Sequence, residues 1–73
     1  MTRNDEVVVK MNTELDKMHN AIVQHNEDAF YDADKAYCDI RDNEMTEKMF
    51  VEDERFADLD KKFFGYRKAW SRG

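Results

Sequence analysis

Apolar residues recur along the first half of the chain at steps of three and four: Val8, Met11, Leu15, Met18 and Ile22. That spacing stacks side chains on one face of an α-helix. At about 100° per residue, the same face continues through Ala29, Ala33, Ala36 and Ile40, within an arc of roughly 80°. The stripe is interrupted rather than ended at "QHNED", where His25 sits near an apolar position. Asn4-Asp5-Glu6 supplies a cap and first-turn acids. Val7-Val8-Val9 is a short β-like run, read here as a helix start although β-branched residues are poor helix formers.

A second stripe follows: Met45, Met49, Phe56, Leu59, Phe63, Tyr66 and Trp70, with Glu52 in its one gap. Arg67 and Lys68 fall in the last turn, where cations suit the helix dipole. Asp42 or Asn43 is placed to cap this helix. There is no proline, and the glycines are Gly65 and Gly73. Sheets and hairpin turns normally need such residues, so their scarcity predicts long helices and an all-α fold.

The pattern predicts a helical hairpin, with one helix over about residues 5–41 and a second over about 44–70 in a single domain. The alternative is a three-helix bundle with a break near His25-Asn26 and Asn26 as a cap. Alanines on the first helix allow close approach, and aromatics on the second fill the groove. A two-helix hairpin buries little by itself, so a homodimer forming a bundle is expected.

Composition sharpens that expectation. Leu, Ile, Val and Phe make up just under a fifth of 73 residues, and 40% are charged, with net charge −5. This lies near the edge of the disordered class, and a chain so short has a thin core. No apolar run is long enough to span a membrane. The start, "MTRNDEVVVK", lacks the apolar region of a signal peptide. Cys38 has no partner within the chain, which fits a reducing compartment, and a cytoplasmic location is expected.

Charge is laid out unevenly. From Glu27 to Asp60 there are thirteen acids against Lys35, Arg41, Lys48 and Arg55, a net of 4 − 13 = −9. After Asp60 the charged residues are all basic: Lys61, Lys62, Arg67, Lys68 and Arg72. On the helical wheel Asp28, Asp32, Asp39 and Asp42 fall within about 80°, with Lys35 among them. Charge on an outer helix face is ordinary solvation, but a row of like charges costs stability. The row also imitates phosphates roughly: four helical residues rise about 6 Å, and successive phosphates of a DNA strand about 3.4 Å.

Other chemistry reads weakly. "DADKAYCDIRDN" opens like a calcium loop but has Tyr37 where glycine belongs, Ala36 at a ligand position and Asn43 in place of the bidentate glutamate. His19 follows Asp16 by three, a spacing that can share a metal in bundles, yet both histidines read as flanking the apolar stripe. No histidine lies within a turn of Cys38. No phosphate loop, nucleophile elbow or zinc spacing is present. No enzyme activity, metal, cofactor or small-molecule substrate is expected.

The expected function is therefore protein–protein interaction. An acidic helical surface would bind a basic protein partner, in its most concrete form as a DNA mimic that inhibits or modulates a nucleic-acid-binding protein. Asp28, Asp32, Asp39 and Asp42 carry the charge. Phe64, which points away from the stripe, and Trp70 are the candidate anchoring aromatics. A competing reading is a coiled-coil adaptor whose charge keeps a bundle soluble. A third uses the tail "KKFFGYRKAWSRG" on nucleic acid or a membrane surface. The tail's stripe residues read better as core, so direct nucleic-acid binding is not expected.

Overall fold

The computed structural model describes residues 2–72. Four helices form among these residues: α1 (Arg3–Gln24), α2 (Glu27–Asn43), α3 (Glu47–Glu52) and α4 (Glu54–Arg72). The all-α expectation holds. Of the two predicted architectures, the chain takes the one with a break at His25-Asn26. The second predicted helix also divides, into α3 and α4.

Each boundary has a local cause. Thr2, rather than Asn4, caps α1: its hydroxyl accepts the Asp5 N–H at 3.1 Å, and its own N–H donates to Asp5 Oδ2 at 3.3 Å. This reciprocal capping box holds the first turn, so Val7-Val8-Val9 is helical. α1 stops where His25 takes a left-handed conformation, φ 54° and ψ 38°. The His25 N–H then donates to Ile22 O and the Asn26 N–H to Ala21 O, closing the last turn. Asn26 starts α2 at once, its side chain accepting the Ala29 N–H.

Thr46 caps α3 through the Met49 N–H at 3.1 Å. Asp42 and Asn43 do not act as that cap: both still belong to α2, and the Asn43 amide donates back to Asp39 O. Asp53 is extended, φ −118° and ψ 103°, and separates α3 from α4. Its carboxylate accepts the Arg55 N–H at the start of α4.

α1 and α2 pack antiparallel, and α4 returns alongside both. Arg55 meets Asp5 near the starts of α1 and α4, and Tyr66 lies against His19 further along, so these two helices run parallel. α2 lies closer to α1 than to α4. The close seam uses Ala21 and Ala33. The wider one is filled by rings, with Phe30 stacked on Trp70 at 4.5 Å and Tyr37 on Phe63 at 4.2 Å.

One core results, made of Val7, Val8, Met11, Leu15, Met18 and Ala21 from α1, Phe30, Ala33 and Tyr37 from α2, and Phe56, Leu59 and Phe63 from α4. Both predicted stripes are here in part, but α2 needs correction. Its buried residues are Phe30, Tyr37 and the predicted Ala33, while Ala29, Ala36 and Ile40 are half-buried. The turn at His25 resets the helical phase, so α1's frame does not extend across it. The dimer expectation rests on the thin core of a two-helix hairpin. Here three helices cover one another's stripes within one chain, so the core is closed without a second copy. No helix among the described residues is long and apolar enough to cross a membrane.

Candidate functional site

α2 divides its surface by contact. Phe30, Tyr37 and Arg41 turn toward α4, and Ala29, Ala33 and Ile40 occupy the flank on the α1 side. The row Asp28, Asp32, Lys35, Asp39 and Asp42 is exposed along the outer side, with Glu27, Tyr31 and Asn43 exposed beside it. The predicted charge sites therefore do lie together, on the outermost line of the helix, over about 21 Å of axis.

Several acids elsewhere in the bundle are paired. Glu44 takes Lys10 at 2.7 Å and Arg3 at 3.3 Å. Arg55 spans Asp53 at 2.7 Å and Asp5 at 2.9 Å. Arg67 lies 3.6 Å from Asp34, and Arg41 3.0 Å from Asp60. Among the described residues, none of Asp28, Asp32, Asp39 and Asp42 has an ion-pair partner within 4.0 Å. Asp16, Glu27, Glu47, Glu52, Glu54 and Asp58 are likewise exposed and without an ion pair among the described residues, so what sets the α2 carboxylates apart is their alignment along one helix face.

The two predicted aromatics fare differently. Phe64 is 53% exposed and meets its neighbour Phe63 edge-on. Trp70 is half-buried. Its indole stacks on Phe30 within 9° of parallel and meets Tyr31 at 78°, so it closes the end of the bundle. Tyr31, to which sequence reasoning assigned no role, is 53% exposed beside the acidic row.

Sequence reasoning also missed a buried polar cluster. Asp60 is only 6% exposed, yet it lies among Phe56, Leu59 and Phe63. The Tyr37 hydroxyl donates to Asp60 Oδ1 at 2.6 Å, and Arg41 Nε donates to both carboxylate oxygens at 3.0 and 3.2 Å. Burial, together with the adjacent Asp60 carboxylate, pushes the Tyr37 phenol well above its ordinary range. The hydrogen bond to Asp60 raises Arg41 in turn. Both partners satisfy the carboxylate, so the cluster is structural: it fixes the register of α2 against α4. A signal was present in the sequence, since Asp60 occupies a stripe position four residues after Phe56.

Cys38 is half-buried, with Sγ donating to Asp34 Oδ1 at 3.6 Å. Burial first, and the Asp34 charge second, push its thiol up, which disfavours the nucleophilic thiolate. Among the described residues no group of three or more His, Cys, Asp or Glu side chains is arranged to hold a metal ion. Compared with protein-family models, curated proteins and solved structures, the chain shows no significant match to any.

Proposed function

We propose that this chain is a non-enzymatic protein-interaction module whose α2 face docks on a basic protein surface. The observation that carries the reading is the open row of Asp28, Asp32, Asp39 and Asp42, exposed and unpaired beside seams where the acids are paired. Aligned in this way the four like charges repel one another at helical spacing, although Asp28 by itself suits the start of α2.

Charge density sets how far the DNA-mimic form goes. Four carboxylates against one ammonium give a net −3 over about 21 Å. A DNA duplex carries about twelve charges over that length, and one strand about six. The row therefore covers a short track of a nucleic-acid-binding groove rather than imitating a duplex. It blocks or modulates the partner by occupying that track, and the affinity beyond charge comes from neighbouring apolar contacts.

The competing tail reading is weaker. Of its aromatics, Phe63 is buried, Tyr66 and Trp70 are half-buried against the core, and Phe64 is the one left exposed for base stacking. Arg67 is already engaged with Asp34 and the Phe63 ring. The separating experiment captures partners from lysate with the wild-type chain and with a variant carrying Asn at 28, 32, 39 and 42. A partner lost from the variant while its melting is unchanged supports the acidic face. Equal capture by both chains refutes it.

A further inference from the structure

The end of the bundle where α1 and α4 finish holds a cleft of about 320 Å³, lined by Ile22, His25, Glu27, Tyr31, Ala69 and Trp70. Two aromatic rings wall it. Trp70 is held by its stack on Phe30, and Tyr31 stands 78° to it with centroids 6.4 Å apart. Two rings at a right angle form a corner, and cations bind ring faces within about 6 Å of the centroid.

The electrostatics of this end favour the same sign of ligand. Glu27 is exposed on the cleft wall and has no ion-pair partner among the described residues. α1 and α4 run parallel, so two helix C-termini converge here against the single N-terminus of α2. Each terminus carries about half a charge, and Arg72 in the last turn offsets that of α4, so the local negative charge at the cleft is chiefly that of Glu27 and the uncompensated end of α1. The cations of α4 do not line the cleft. Lys68 and Arg72 each lie about 160° around the helix from Trp70, and Arg67 is engaged with Asp34.

We propose that this cleft binds the guanidinium of an arginine side chain presented by the partner. The Tyr31 and Trp70 rings take the planar cation, and the Glu27 carboxylate accepts its N–H groups. Arginine suits the corner better than lysine because its guanidinium is flat, weakly hydrated and carries a fork of donors. The inference rests on the protein-interaction reading and names the anchor beside the charged row: Tyr31 flanks Asp28 and Asp32 on α2.

Trp70 is the chain's one tryptophan, so its fluorescence reports on this cleft alone. The full chain is titrated with acetyl-Gly-Arg-Gly-amide and with the citrulline peptide, which keeps the shape and removes the charge. A saturable change is expected with arginine, with binding about tenfold weaker for citrulline and for Glu27→Gln. Tyr31→Ala, at an exposed position, weakens it about threefold. The indole N–H resonance of Trp70 follows the same titrations as a second readout. Equal response to both peptides, an unchanged affinity in Glu27→Gln, or no saturable response overturns the proposal. The chain with Asn at 28, 32, 39 and 42 separates the two ideas. If it loses partner capture while the wild-type cleft ignores arginine, the cleft proposal alone fails. If the cleft binds arginine while that variant captures partners normally, the acidic-face reading alone fails.

Discussion

The hydroxyl of Tyr37, a residue with no exposed surface, donates to the 6% exposed carboxylate of Asp60 across the α2–α4 seam at 2.6 Å. With the Arg41–Asp60 pair beside it, it forms the buried polar centre of a seam whose apolar part is stacked rings. Tyr37→Phe removes a hydrogen bond to a charged acceptor and should cost about 2 kcal/mol. Asp60→Ala leaves the phenol unpaired and should cost about 3 kcal/mol. The double variant should cost less than the sum by about 1 kcal/mol, because the two losses are one interaction. Urea denaturation of the three variants checks this. Strict additivity would mean that the contact contributes no coupling.

Glycine sits in the wrong places for helix stability, and two opposite swaps should both stabilise the bundle. His25 holds a left-handed conformation that costs a side-chain-bearing residue about 1 kcal/mol, so His25→Gly should recover part of that. His25→Val should destabilise, since β-branching fits that region worst. Gly65 lies inside α4, and a Cβ added there meets nothing within 4 Å. Gly65→Ala should therefore stabilise by about 1 kcal/mol. Thermal melts of the single variants test each sign.

These positions also show how much of the fold was legible in the sequence. The stripes of α1 and α4 were, because each lies within one unbroken helix: Val8, Met11, Leu15 and Met18 are buried, as are Phe56, Leu59 and Phe63. The core face of α2 was legible only at Ala33. The break needs a left-handed residue, and it is supplied by histidine rather than glycine, so no strong stop signal marked it. Extending α1's frame then selected Ala36 and passed over Phe30 and Tyr37. The acidic row was legible because its relative spacing lies inside α2 and survives the phase error. The Trp70 and Tyr31 corner was not, since it joins residues thirty-nine apart.

Acid should weaken the fold in a defined window. Hydrogen bonds from the Arg55 side chain hold Asp53 down at about 2, from an ordinary 3.8, and the same guanidinium lowers Asp5. A hydrogen bond from Lys10 lowers Glu44. Carboxylates depressed in the folded state stabilise it above their unfolded values, and that contribution is lost as pH falls through the folded ones. Melting temperature should therefore hold steady from about pH 7 to 5 and fall between about pH 4 and 2. Arg55→Met should lower the plateau and flatten the fall. At the alkaline end the Tyr37 phenol is raised, so its stabilisation is present below about pH 10 and is lost as pH rises above it. Its phenolate absorbance should appear only with unfolding, and Tyr37→Phe should remove that step.

Within the acidic row, position on α2 should set the sign of each neutralisation. Asp28 lies in the first turn, where the helix dipole favours an anion, so Asp28→Asn should destabilise by about 0.5 kcal/mol. Asp42 lies in the last turn, where the dipole disfavours it, so Asp42→Asn should stabilise by a similar amount. The combined variant at 28, 32, 39 and 42 should then melt at or slightly above the wild type. Circular dichroism melts at low salt, where these effects are largest, check the prediction.

The claim that the α2 face is the docking surface is tested most directly by calorimetric binding of a captured partner at two salt concentrations. The wild-type chain and the chain with Asn at 28, 32, 39 and 42 are compared. The account predicts that wild-type affinity falls as salt rises and that the variant binds at least tenfold more weakly at low salt, with its salt dependence largely gone. A variant that binds as tightly as the wild type, with the same response to salt, would contradict it.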